Sequence, residues 1–334
     1  MKTFLALVLA LAMTLALAAC GRNSQQNSST PNAGQKEDAQ PPADSQGGGA
    51  SGTIKIGGIG PLTGSTAQYG IATDEGAKIA IEEINALGGI QFELNGQDDE
   101  ADGEKGVNAY NNLMDWGMQI LYGCTTSGSC AAVAAESFND RVFQLTPSAS
   151  STTVTEGHDN VFQLCFTDPN QGKTAADFIK DNALATKVAV IYNNSDDYST
   201  GIYQGFKAEA EAVGLEIVST TTFPDDTTTD FSAQITDAYN NGAEMIFLPI
   251  YYTPASNILI QASQKGYEFS YFGCDGLDGI LTLEGFDTAL AEGVYVLTPF
   301  DTASDAAVSF IEKYKAATGG EPNQFAADGY DCIY

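Results

Sequence analysis

Histidine is nearly missing: His158, in the loop Gly157-His158-Asp159, is the single one. A hydrolase with an activated nucleophile needs a base beside it, often with a GxSxG turn, and neither arrangement is present. No cysteines show CxxC spacing, which together with one histidine argues against a structural zinc site. A dinucleotide fingerprint is lacking too. Gly58-Ile59-Gly60 follows a strand, but the next glycine falls at Gly64 and Pro61 interrupts the turn. No cofactor is expected. Cations are scarce, with 14 lysines and arginines against 43 acidic residues and a formal charge of −29. Nucleic acid and anionic lipid both call for basic patches, so neither is an expected partner. The acidity serves solubility, with a fraction left to face a cationic ligand group.

A membrane-spanning run is also lacking: Phe4 to Ala19 is about sixteen residues, where a span needs roughly twenty. That run follows Lys2 and ends in Leu17-Ala18-Ala19-Cys20, the layout of a secretory leader. Two small residues before a cysteine resemble the bacterial lipobox, where the leader is cut before the cysteine and its thiol carries a diacylglycerol anchor. Residues 1–19 are therefore expected to be a lipoprotein signal peptide. Cys20 is the expected lipid attachment, holding the protein on the outer face of the cell membrane. Residues 20–52 are rich in Ser, Gln, Asn, Pro and Gly and hold no large apolar residue, as expected of a flexible tether.

About 280 residues remain, enough for two lobes and too many for one comfortable core. Five cysteines follow Cys20, namely Cys124, Cys130, Cys165, Cys274 and Cys332, an odd number that leaves at least one free within the chain. Cys124 and Cys130 are near enough for a small-loop disulfide, but connectivity stays open. Strands and helices alternate after Gly52. The spacing predicts strands at Thr53–Ile59, Phe92–Leu94, Gln119–Tyr122 and Val142–Leu145, with helices at Thr73–Leu87, Lys105–Trp116 and Cys130–Asn139. A second set has strands at Lys187–Tyr192, Leu215–Ser219 and Met245–Pro249, with helices at Gly201–Val213, Phe231–Asn241 and Pro254–Lys265. Such alternation implies an α/β fold of two doubly wound parallel-sheet lobes, separated near Thr167–Gln171, with a hinge and an interlobe cleft.

Several segments resemble one family. They are Gly60-Pro61-Leu62-Thr63-Gly64 with Tyr69-Gly70, then Ile81-Glu82-Glu83-Ile84-Asn85 ending in Gly88-Gly89-Ile90, and Thr126-Ser127-Gly128-Ser129. Thr146-Pro147-Ser148-Ala149-Ser150, Asp168-Pro169-Asn170-Gln171-Gly172 and Thr229-Asp230-Phe231-Ser232 continue the series. In this order they are similar to the substrate-binding proteins of branched-chain amino acid ABC transporters, with the type I periplasmic-binding fold, from Ile54 to Tyr334. The resemblance implies no enzymatic chemistry, a monomer, an amino acid ligand, and a permease as partner. It places lobe one at 54–167 plus 299–334 and lobe two at 168–298. Relatives continue past Asp331-Cys332-Ile333-Tyr334 by a further helix, strands and a third crossing, so the C-terminal part of the family fold is expected to be missing.

Ligand chemistry gives these residues roles. A carboxylate seeks N–H groups, hydroxyls and a helix N-terminus, and Ser127-Gly128-Ser129 offers all of these, although such turns also serve as plain helix caps. The resemblance assigns the carboxylate to Ser127 and Ser150, and the ammonium to the Ser148 carbonyl and to Asp275. Relatives commonly carry glutamate at the latter position, so the acid here is one methylene shorter. Asp168 is a second acidic candidate. Tyr69, Tyr198 and Tyr251 match cleft positions, with Tyr252 an equal rival for the third. Gln163 stands where many relatives have arginine. The expected ligand is an aliphatic α-amino acid; the alternative is an amide, urea or an aromatic acid, since fold does not fix ligand.

Overall fold

The computed structural model describes residues 52–334. Strands β1 (Thr53–Gly60), β2 (Gln91–Asp98), β3 (Ile120–Gly123), β4 (Phe143–Thr146) and β5 (Val161–Gln163) form a parallel sheet in the order β2-β1-β3-β4-β5. Strands β6 (Lys187–Asn193), β7 (Glu216–Phe223), β8 (Met245–Leu248), β9 (Ser270–Gly273) and β10 (Val294–Val296) form the second, in the order β10-β9-β8-β6-β7. Read from the β7 edge, the second order repeats the first. Each sheet reverses its winding beside its first strand, where open α/β sheets leave a crevice at the carboxyl ends.

Apolar residues clothe both faces of the first sheet. Ile56, Tyr122 and Ile120 pack against Ala77 and Ile81 of α1 (Ala67–Ala86), with Ile333 of α9 (Gln324–Ile333) alongside. The opposite face buries Ile59 and Leu121 under α2 (Gly103–Trp116) and α3 (Ser127–Asp140). In the second sheet Val188, Val190, Ile246 and Phe247 are fully buried, flanked by α4 (Asp168–Asp181), α5 (Asp197–Val213), α6 (Ser232–Asn240) and α7 (Tyr252–Gln264). Helix α8 (Val308–Thr318) joins the α1 side, where Glu83 accepts from Lys313, Tyr330 and Tyr334.

The alternation read from the sequence is the one the chain forms, with instructive differences. Helix α1 starts at Ala67 rather than Thr73, because its first turns pack toward the second sheet and so lack the apolar stripe of the remainder. Helix α4 occupies a stretch whose first residues read only as a break between lobes. Pro169 in its first turn is a helix-start signal, and its buried stripe of Ala175, Ala176 and Ile179 is short among polar residues. It lies almost backbone to backbone on α5: a Cβ on Gly172 would come within 2.1 Å of the Ile202 carbonyl oxygen. Edge strands β2 and β7 run past their apolar cores through Asn95–Asp98 and Thr220–Phe223, carried there by the ladders with β1 and β6. The five described cysteines, Cys124 and Cys130 among them, are unpaired. The predicted signal peptide, Cys20 and nearly all of the tether lie outside the described residues.

Candidate functional site

The turn between β3 and α3 brings Thr125, Thr126 and Ser127 to the carboxyl end of a central strand. Ser127 is 2% exposed, and its Oγ accepts the main-chain N–H groups of Ser150 and Ser151, each at 3.1 Å. Both oxygen lone pairs are thereby occupied, so its hydroxyl hydrogen remains available to a ligand acceptor. The first N–H groups of α3 lack intrahelical partners and carry the positive end of the helix dipole. Ser148 Oγ donates to the Thr125 carbonyl at 2.7 Å, and Thr146 Oγ1 donates to that of Cys124 at 2.6 Å. Gln163 steadies the same loop by donating to the Ala149 carbonyl at 3.3 Å. This side of the site is uncharged and presents donors.

Three residues arrive from the second sheet. Tyr198 lies in the first turn of α5, Tyr251 stands just before the first residue of α7, and Asp275 follows β9. Tyr198 Oη donates to Asp275 Oδ1 at 2.7 Å and accepts the Gly276 N–H at 2.8 Å. A Cβ on Gly276 would stand 2.6 Å from that hydroxyl, so the contact requires glycine. Tyr198 stacks on Tyr251 with centroids 5.0 Å apart, and Tyr69 meets Tyr251 edge-on at 5.6 Å. From α1, Tyr69 Oη donates to the Gly276 carbonyl and accepts the Tyr252 N–H at 3.3 Å. Burial holds the phenols of Tyr69, Tyr198 and Tyr251 well above their ordinary range, so they stay protonated donors.

A cavity of about 230 Å³, its open mouth included, lies between these groups. Six of the eight predicted residues line it: Tyr69, Ser127, Ser148, Tyr198, Tyr251 and Asp275. The other two are buried but are not among the residues lining it. Ser150 gives its N–H to Ser127 and has a buried, unpartnered Oγ; Asp168, fully buried in the first turn of α4, has no well-formed hydrogen bond on either oxygen. Of the two neighbouring tyrosines, Tyr251 borders the cavity, while the Tyr252 hydroxyl accepts the Gln68 N–H at 3.3 Å. The lining also includes Thr125, Thr126, Gly276 and Phe325, which were not singled out from the sequence. Thr126 belongs to a motif already noted, and Gly276 directly follows the candidate Asp275. Phe325 gives no sequence signal, since only its packing against Tyr69, at 4.3 Å between centroids, brings it there.

Electrostatics divide the site. Desolvation pushes Asp275 up to about 6 and Asp168 up to about 9, and nearby Asp196 and Asp226 rise to about 7 and about 6 for the same reason. Tyr198 and Gln171 partly offset the effect at Asp275, and Ser150 does so at Asp168. None of the described ion pairs involves these four acids. The site has buried negative character with no protein cation to answer it. Among the described residues no cluster of His, Cys, Asp and Glu is placed to hold a metal ion, and no helix is long and apolar enough to cross a membrane.

Comparison with known proteins agrees with this architecture. A Leu/Ile/Val-binding protein homolog from Brucella melitensis is 33% identical over 229 residues, covering 67% of this chain and 61% of that protein's length. Among solved structures, a leucine-binding protein from Thermotoga maritima has a TM-score of 0.77 at 29% identity, covering 84% of this chain and 80% of that one. The branched-chain amino acid transporter substrate-binding protein of Streptococcus pneumoniae, solved with isoleucine, has a TM-score of 0.76 at 31% identity, with coverages of 84% and 82%. The periplasmic binding protein family pattern matches residues 53–334, and with two parallel sheets facing one cavity the chain belongs to that family.

Proposed function

We propose that the protein is the extracytoplasmic substrate-binding component of an ABC importer. It captures an aliphatic α-amino acid between lobes 54–167 plus 299–334 and 168–298, closes on it, and delivers it unchanged to a membrane permease. One observation carries this reading: an uncharged wall of hydroxyls and helix N–H groups faces a wall holding the buried acid Asp275, with no protein cation between. An α-amino acid presents the complement, a carboxylate and an ammonium two bonds apart. The tyrosines supply apolar surface above that polar head. The relatives named for leucine, isoleucine and valine support the same ligand class. A lipid on Cys20 would keep the domain near the permease.

In this reading Ser127 and the α3 N-terminus hold the carboxylate, while Asp275, with the Ser148 carbonyl, holds the ammonium. Ser150 acts by fixing Ser127, and Asp168, kept protonated near neutrality by burial, stands behind Asp275 as a second acid that a bound cation would draw toward ionisation. Isothermal titration with leucine, isoleucine, valine and alanine, alongside acetamide, urea and benzoate, is the test. Saturable binding of at least one amino acid and none of the others is expected. Binding of benzoate or urea in preference to every amino acid would overturn the reading, as would turnover of any bound compound.

A further inference from the structure

Gln171 lies in the first turn of α4, where the chain passes from the first sheet to the second, and it is 1% exposed. Its Oε1 accepts the main-chain N–H of Asp275 at 3.3 Å. Its Nε2 is buried without a hydrogen-bond partner, and the side chain as a whole favours the ionised form of Asp275. The helix is anchored to the serine side as well, since the Asp168 N–H donates to the Ser150 carbonyl at 3.0 Å. One neutral side chain thus grips the backbone of Asp275 from a helix tied to the opposite wall of the cavity.

We propose that Gln171 is a positioning residue for the amine of the ligand, holding the Asp275 carboxylate toward the cavity and coupling it to the lobe crossing. The inference rests on the ammonium role given to Asp275 above. An amide suits the task because it combines an acceptor for N–H with a donor for carboxylate and brings no charge. The groups that act on Asp275 from the surrounding elements are otherwise Asp168 of α4, Tyr198 of α5, Tyr69 of α1, Asp328 of α9, Asp278 of its own loop, and the thiols of Cys165 and Cys274. None is a cation. Tyr198 and Gln171 are therefore the side chains that favour the carboxylate, and removal of Gln171 drives its proton affinity higher still.

The test is calorimetric titration of wild type, Gln171→Leu and Gln171→Glu from mildly acidic to mildly alkaline pH. The probe is whichever of L-leucine, L-isoleucine and L-valine the wild type binds best. Gln171→Leu should weaken binding about 3- to 30-fold near neutrality, and the pH below which affinity collapses should move upward. Gln171→Glu keeps an acceptor for the Asp275 N–H but replaces the donor with a second anion, so it should be at least as damaging. Circular dichroism verifies folding, and Gln171→Met, similar in length, replaces Gln171→Leu if that variant does not fold. Unchanged affinity in the variants refutes the proposal, and so does an equal loss at every pH, which marks a purely structural role. If the wild type binds none of the three, the functional reading fails first and this inference goes with it.

Discussion

The two walls of the cavity solve the problem of burying polar groups in opposite ways. On the first sheet's wall, Ser127, Ser148 and Thr146 are each paired with main-chain groups, and no charge is buried among them. On the second sheet's wall Asp275 is ionisable, 3% exposed, and partnered only by neutral donors; Asp168 behind it has no well-formed hydrogen bond. A satisfied neutral network rigidifies a site, whereas an unanswered buried carboxyl is held at a cost until a cation arrives. The first wall thus carries no buried charge and leaves only neutral groups, the α3 N–H groups and the Thr126 and Ser150 hydroxyls, for a ligand to meet, whereas the second holds an acid with no cation beside it. In the proposed reading, that contrast sets the ligand carboxylate at the first wall and turns the ammonium toward Asp275.

Breaking the second wall should have the largest effect. Asp275→Ala leaves a desolvated ammonium without a partner and should cost on the order of 2–5 kcal/mol, roughly 30- to several thousand-fold in amino acid affinity by calorimetry. Unchanged affinity would sink the ammonium assignment and point to a ligand without an amine. Ser127→Ala should cost less, about 1–3 kcal/mol in the same titration, because the α3 N-terminus still faces the carboxylate. It also strands the Ser150 and Ser151 N–H groups, so a drop in melting temperature should accompany it.

Acid sharpens the comparison. In the proposed reading the ammonium needs ionised Asp275, so affinity should hold near neutrality and fall as pH drops through about 6, by up to about tenfold per unit. Stability of the ligand-free protein should move the other way. Asp168, Asp196, Asp226 and Asp275 bind protons more tightly folded than unfolded, because burial raises their folded values. The folded state therefore carries the extra protons between about pH 4 and about pH 9, and stability declines as pH rises across that window. Thermal melts at pH 5 and pH 8 check this; a higher melting temperature at pH 8 without ligand contradicts it. The smallest effect should come from Tyr252→Phe, which removes one acceptor at the Gln68 N–H outside the cavity: at most a few-fold in affinity, and less than Tyr251→Ala.

The fold class was legible because buried parallel strands and one-sided helices write their periods into the chain. Val188–Ile191 and Met245–Leu248 are unbroken apolar runs, and Ala77, Ala80, Ile81 and Ile84 mark one helix face. Legibility fails where burial is supplied by another element. The first turns of α1 face the other sheet and the start of α4 lies against the α5 backbone, so their small and polar residues show no apolar stripe and do not read as helix. The polar ends of β2 and β7 are likewise strand only because a ladder partner holds them.

Site residues divide on the same line. Serines after a strand and an aspartate after another are local features, and a motif finds them. By itself the sequence determined two α/β units, the strand-end positions of Ser127 and Asp275, and a strongly acidic character. Tertiary structure alone decided that Ser127 would accept from Ser150 and Ser151, that Gln171 would grip Asp275 from 104 residues away, and that Phe325 would join the wall. It also decided between Tyr251 and Tyr252, adjacent and chemically identical. The reason is physical: hydrogen-bond partners, desolvation and cavity shape belong to groups distant in sequence and become defined only when the sheets face one another.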